Sequence, residues 1–160
     1  MKKCNLFETE YTIDAQVDLR CVKFDKKKHV EALYTLMSKR KNSISHSQIP
    51  SEVEHKRFCL AHPYRAWYLI IQNLKFIGAF YITSQNTIGI NIIEETEYHH
   101  KAVFEFILKT FDPLPPVPSI VSKYFHCNIS PSDTHLIDVL KNLNGELSQI
   151  TYVLKKMPVD

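Results

Sequence analysis

The stretch Ile88-Gly89-Ile90-Asn91-Ile92-Ile93-Glu94-Glu95-Thr96-Glu97-Tyr98-His99-His100-Lys101-Ala102-Val103-Phe104 changes period halfway along. Residues 86–93 form a short, mostly apolar run rich in β-branched side chains, which reads as a strand. Glu94, Glu95, Thr96 and Glu97 then open a helix whose positive end suits acidic residues. Val103, Phe104, Ile107, Leu108 and Phe111 recur at helical spacing and mark its buried stripe. A strand that feeds directly into the N-terminus of a helix is the point from which the rest of the chain can be ordered.

Upstream, residues 65–72 and 75–83 are strand-like and are separated by Asn73-Leu74, which reads as a hairpin. A short turn at Ser84-Gln85 leads into the strand at 86–93, so three strands follow one another as an antiparallel meander. Earlier still, residues 17–24 alternate apolar and polar, the pattern of a half-buried strand. Asp25 follows as a candidate N-cap. Val30, Leu33, Leu36 and Met37 then give a helix that Lys39, Arg40 and Lys41 close. Residues 42–50 are polar and irregular. Ser51 and Glu54 have the spacing of a capping box, opening a short helix that Pro63 stops.

Downstream, residues 112–118 contain four prolines and form an extended loop. Residues 122–129 read as a strand, Ser132 or Asp133 caps a helix to about Leu143, and Gly145 ends it. Residues 149–155 read as a last strand. The order β-α-α-β-β-β-α-β-α-β predicts an α/β fold: a mixed, mostly antiparallel sheet flanked by helices. Residues 17–160 form one domain in this reading, with 1–16 as an N-terminal extension.

The 160 residues are 44% hydrophobic and 23% charged, ordinary for a globular domain. Only three glycines occur, so no glycine-rich phosphate cradle can form. Residues 1–80 carry 14 Lys/Arg and 8 Asp/Glu, and residues 81–160 carry 6 and 9, so the first half is basic. The lysine clusters at 26–28 and 39–41 lack interleaved aromatics, which argues against a nucleic-acid surface and for solvated helix faces. The N-terminus lacks an apolar signal core, and the runs 66–71 and 76–82 are too short to span a bilayer. Four scattered cysteines without a CxxC pair read as free thiols of a cytoplasmic protein. His55, Cys59 and His62 share a helix face but lack a fourth ligand, so no metal is expected. The oligomeric state stays open, a homodimer included.

The element order, together with the stretch from Ile88 to Phe104, resembles the GCN5-related N-acetyltransferases over residues 17–156. Members of that family continue after the equivalents of Glu97-Tyr98 with Arg or Gln, two residues, Gly, one residue, and Gly or Ala. Here His99 stands at the Arg/Gln position, Ala102 at the first small position and Phe104 at the second. In the family these small residues let backbone N–H groups approach a pyrophosphate at the helix N-terminus. A phenylalanine at 104 must either obstruct that approach or turn into the core. The resemblance implies acetyl-CoA as co-substrate. Its contacts would come from Asn91, Ile92, Ile93, His99, His100, Lys101, Ala102, Val103 and Phe104. The segment Asn128-Ile129-Ser130-Pro131-Ser132-Asp133 is similar to the family's Asn-x-x-Pro-x-Asn and adds Asn128 and Asp133. The family's usual acid on the following helix falls at Leu136 or Leu140, and neither donates a proton.

The reaction so implied moves an acetyl group from acetyl-CoA to a primary amine of a small molecule, such as an amino sugar or a metabolite. A backbone N–H at Asn91 or Ile92, on a strand that splays at a bulge, would polarise the thioester. Glu94, His46 or His55 would act as base, and Tyr152 or Tyr124 as the replacement acid. His55, Tyr64 and Trp67 would border the acceptor. The alternative is a non-catalytic binding module with the same architecture and a decayed cofactor site.

Overall fold

The computed structural model describes residues 10–13, 17–41, 48–93 and 96–154. Its elements are β1 (Glu10–Thr12), β2 (Asp18–Cys21), α1 (Lys27–Ser38), α2 (Glu52–Ala61), β3 (Ala66–Gln72), β4 (Lys75–Ile82), β5 (Thr87–Ile92), α3 (Glu97–Thr110), β6 (His126–Cys127) and α4 (Thr134–Asn142). Six strands lie in sequence order in one sheet. Each pairs antiparallel with the next up to β5, and β6 then runs parallel to β5. This is the mixed, mostly antiparallel α/β architecture expected from the sequence.

The meander forms as its turn chemistry requires. Asn73 and Leu74 both adopt positive φ (48° and 63°) between β3 and β4, the backbone of a two-residue turn that matches strand twist. Asn86 (φ 62°) turns the chain into β5. β3 is buried over six of its seven residues because helices cover both faces of the sheet. On one face Val22, Trp67 and Leu69 pack against Leu33 and Leu36 of α1 and Cys59 of α2. On the other, Leu19, Tyr68, Ile70, Phe80, Ile88 and Ile92 pack against Val103, Phe104 and Ile107 of α3 and Leu136 of α4.

The caps follow local chemistry. Ser51 and Glu54 form the reciprocal capping box expected of them. Asp133 caps α4 by accepting from the Leu136 amide at 3.2 Å. Thr96, rather than an acidic residue, caps α3. Lys26 is the N-cap of α1 and makes no side-chain cap bond, so Asp25 does not take the role its composition suggested.

Three expectations need correction. Residues 122–129 supply only the two-residue β6, because the rest of that segment has no strand partner. Residues 149–154 form no strand among the described residues, and Ile150, Tyr152, Val153 and Leu154 stand 68–92% exposed. Composition favours a strand there, but a strand needs a neighbouring edge to pair with. Finally, Glu10–Thr12 pairs with β2 and so extends the sheet one strand further toward the N-terminus than the alternation at 17–24 indicated.

Candidate active site

β5 and β6 pair only at Thr87–His126 and Ile88–Cys127. Beyond those two pairs the strands part, and no strand of the described residues pairs with Gly89 to Ile92 on that side. Hydrogen-bond alternation decides which amides face the gap. Ile93 N donates to Ile77 O (2.9 Å) and Thr83 N to Thr87 O (2.9 Å). Odd-numbered residues of β5 therefore face β4, and Ile90 and Ile92 turn their N–H and C=O toward the gap. This separates two candidates for the oxyanion donor. Asn91 and Ile93 spend their amides on β4, whereas Ile92 presents its own to the gap. The β4–β5 register runs unbroken, so the splay arises without the expected bulge in β5.

A small cleft of ≈ 30 Å³ opens at the splay, room for about one water molecule. Ile90, Asn91 and Ile92 line it from β5, His100 from α3, Asp133 and Leu136 from α4, and Arg40 and Lys41 from the end of α1. The first turns of two helices thus meet at one opening, where partial positive charge collects. Asn91 fixes the fourth wall. Its Nδ2 donates to the Leu36 carbonyl at 3.0 Å, which ties the C-terminal turn of α1 to β5.

The histidines at α3 are committed to the helix cap. His99 is 4% exposed, its Nδ1 lies 2.8 Å from Thr96 Oγ1, and its amide donates to that same hydroxyl. His100 is equally buried, with Nδ1 3.3 Å from the Thr96 carbonyl and its ring edge-on to His135 at 5.3 Å. Lys101 and Ala102 turn away from the cleft. They line a separate groove of ≈ 700 Å³ against Tyr11, Thr12 and Ile13 beside β1. Val103 and Phe104 are buried in the core. Of the two alternatives for Phe104, the ring has turned inward to the core.

Asp133 spends its carboxylate on the α4 cap, and Asn128, just beyond β6, is exposed. His55 and Trp67 are buried and bind α2 to the rest of the fold. His55 Nε2 lies 3.4 Å from Cys59 Sγ, and Trp67 meets Phe24, Phe58, His62 and Tyr64. Burial lowers the His55 pKa and raises that of Cys59 to about 11, so this pair stays uncharged. Tyr64 is half-buried and stacks on Tyr81 at 3.9 Å. Tyr152 is 83% and Tyr124 64% exposed. His46 and Glu94 lie outside the described residues. Sequence reasoning did not place Arg40 and Lys41 at the cleft, since their spacing reads only as a helix end.

A six-stranded meander with a parallel, splayed final pair and helices on both faces is the fold of the GCN5-related N-acetyltransferases. The chain is similar to the structure described as RimL, ribosomal L7/L12 alpha-N-protein acetyltransferase, in complex with coenzyme A. The TM-score is 0.58 and the identity 16%, over 83% of this chain and 81% of that one. It is also similar to a possible acetyltransferase from Clostridium difficile 630 (TM-score 0.51, 11% identity, 89% and 99% of the two chains). A third structure is the Salmonella typhimurium acetyl transferase that modifies the N-terminal serine of 50S ribosomal subunit protein L7/L12. There the TM-score is 0.52 and the identity 15%, over 83% and 82%. No family model and no curated protein sequence matches the chain.

Proposed function

We propose that this chain is an N-acetyltransferase that moves an acetyl group from acetyl-CoA to a primary amine of a small molecule. The observation that carries this reading is the parting of β5 and β6 after two residue pairs, which leaves Ile90 and Ile92 with backbone groups aimed into the gap. Those groups suit the two amides of a pantetheine arm, which would lie along β5 as an added strand. Asn128 would reach the arm from the other strand. The N–H of Ile92 would polarise the thioester carbonyl, a role whose loss typically costs about 3 kcal/mol of barrier.

The phosphates would meet the first turn of α3. Thr96 accepts from the His99 amide and from the His100 amide (3.4 Å), which leaves the Glu97 and Tyr98 amides as the outward donors of that turn. The cleft must widen to admit the arm, since ≈ 30 Å³ does not hold it. Glu94 or His46 would take the amine's proton.

Two named neighbours act on a ribosomal protein N-terminus. That favours a second reading, in which the amine is the α-amine of a peptide. The tightness of the cleft favours the non-catalytic module instead. One experiment orders the three. Thermal shift with millimolar acetyl-CoA should raise the melting temperature. Thiol release should then accelerate with amino sugars or simple amines under the first reading, or with an N-terminal-serine peptide under the second. Stabilisation by acetyl-CoA without amine-dependent release points to the module, and the absence of any shift removes the transferase reading.

A further inference from the structure

The residues equivalent to the family's usual acid are leucines here, yet a phenol stands at the point where the strands part. Tyr81 on β4 is paired in register with Gly89 on β5. Its ring lies over that glycine so closely that a Cβ at 89 would overlap the phenol end of the ring. Any larger residue at 89 would therefore displace the ring. Gly89 is the first residue of β5 past the last pair, Ile88–Cys127. The hydroxyl of Tyr81 thus lies over Gly89, beside the point where the strands part, on the face that carries Asn91 and α1.

Its surroundings are those of a proton donor. Tyr64 stacks parallel to it at 3.9 Å and 11° and donates a hydrogen bond to its oxygen. Burial raises the pKa of both phenols, so Tyr81 holds its proton at neutral pH. The neighbouring Cys127 thiol, itself pushed up to about 12 by burial, also raises that of Tyr81. The Arg40 guanidinium and the Tyr64 hydrogen bond act in the opposite direction and stabilise a phenolate once it forms. A group protonated at rest, with a cation and a hydrogen-bond donor ready for its conjugate base, is suited to give up a proton during a reaction.

We infer that Tyr81, admitted across β5 by the missing side chain of Gly89, is the catalytic acid that protonates the departing thiolate. This rests on the transferase reading above. In the step, the amine nitrogen bonds to the acetyl carbon. The carbon–sulfur bond breaks with its electron pair on sulfur, and the Tyr81 proton passes to that sulfur to give the CoA thiol. The proton lost by the amine passes to Glu94 or His46 and from there to solvent, from which the phenolate is reprotonated. Tyr64, stacked on the ring, is the positioning residue for this phenol.

Tyr81→Phe tests the assignment, because it keeps the ring and its stacking. Two quantities are needed for wild type and variant. One is acetyl-CoA affinity by calorimetry. The other is the rate of thiol release from acetyl-CoA from pH 7 to past pH 11, because burial raises this phenol above its ordinary value, with a small primary amine, an N-terminal-serine peptide and water alone as acceptors. The expected result is an affinity within twofold of wild type, a kcat at least tenfold lower, and loss of the alkaline limb of the pH profile. Wild-type kcat with an unchanged alkaline limb in Tyr81→Phe overturns the assignment of the acid while leaving the transferase reading intact. Failure of the wild-type chain to bind acetyl-CoA, or to release thiol above the uncatalysed rate with either amine acceptor, overturns both.

Discussion

Asn86 and Leu114 exchange two hydrogen bonds: Asn86 Nδ2 donates to the Leu114 carbonyl at 2.9 Å, and the Leu114 amide donates to Asn86 Oδ1 at 2.7 Å. The second proton of the same amide goes to the Ser122 carbonyl at 2.8 Å. The Asn86 carbonyl receives the His126 amide at 3.1 Å. One wholly buried side chain therefore holds both ends of the proline-rich connection and sets β6 beside β5 where the splay begins. Asn86→Ala should destabilise the fold by about 3 kcal/mol, since it strands buried partners and replaces a side chain that tolerates φ 62° better than alanine does. Urea unfolding of the variant measures this. A change under 0.5 kcal/mol would deny Asn86 the role of a hub.

Phe104 faces the core at 3% exposure, packed with Val103 and Ile107. Phe104→Ala should cost about 3–5 kcal/mol of stability and leave acetyl-CoA affinity of the remaining folded protein unchanged. Calorimetry at low temperature would show otherwise if the ring blocked the phosphates, for affinity would then rise several-fold.

Acid should weaken the protein through its buried histidines. His29 Nδ1 accepts from the Lys23 amide at 3.0 Å, and burial, followed by the charges of Lys26, Arg20 and Lys23, lowers its pKa below 6.5. His55 is lowered by burial as well. In the unfolded chain both take up a proton near pH 6.5, whereas in the fold they resist it. Their stabilisation is thus whole above pH 6.5 and is lost as pH falls below it. The melting temperature should drop between pH 7 and pH 5. His29→Asn keeps an acceptor for Lys23 and removes one titration, so its decline should be shallower. A melting temperature flat across that range would contradict the assignment.

Gly89→Ala places a methyl where the Tyr81 ring lies. The ring must swing aside, which separates it from Tyr64. Thiol release should fall at least fivefold while acetyl-CoA affinity stays within about threefold. Unchanged turnover would mean that the phenol need not cross the strand.

The fold was legible because its strands and helices carry strong local signals. The hairpin at Asn73-Leu74, the Ser51–Glu54 box and the stripe from Val103 to Phe111 each depend on neighbours in sequence. The segment at 149–154 was misjudged because strand propensity does not supply an edge to pair with. The cleft was half legible. Ile92 and His100 lie in the stretch that named the fold, but Arg40 and Lys41 reach it only because Asn91 tethers the end of α1. The Tyr81–Gly89 contact depends on register, which follows from strand pairing rather than from any motif. Lys101 and Ala102 line the groove beside β1 rather than the cleft, because helical residues separate by about 100° per position and the neighbours of His100 face elsewhere.

The most direct test of the account is a crystal structure with acetyl-CoA bound. The account predicts the pantetheine arm paired with the backbone of Ile90 and the Ile92 carbonyl, the Ile92 N–H on the thioester oxygen, the thioester sulfur within hydrogen-bonding reach of the Tyr81 hydroxyl, and phosphates at the first turn of α3. Acetyl-CoA lying outside the gap between β5 and β6, or β6 closing along the whole of β5, would contradict it.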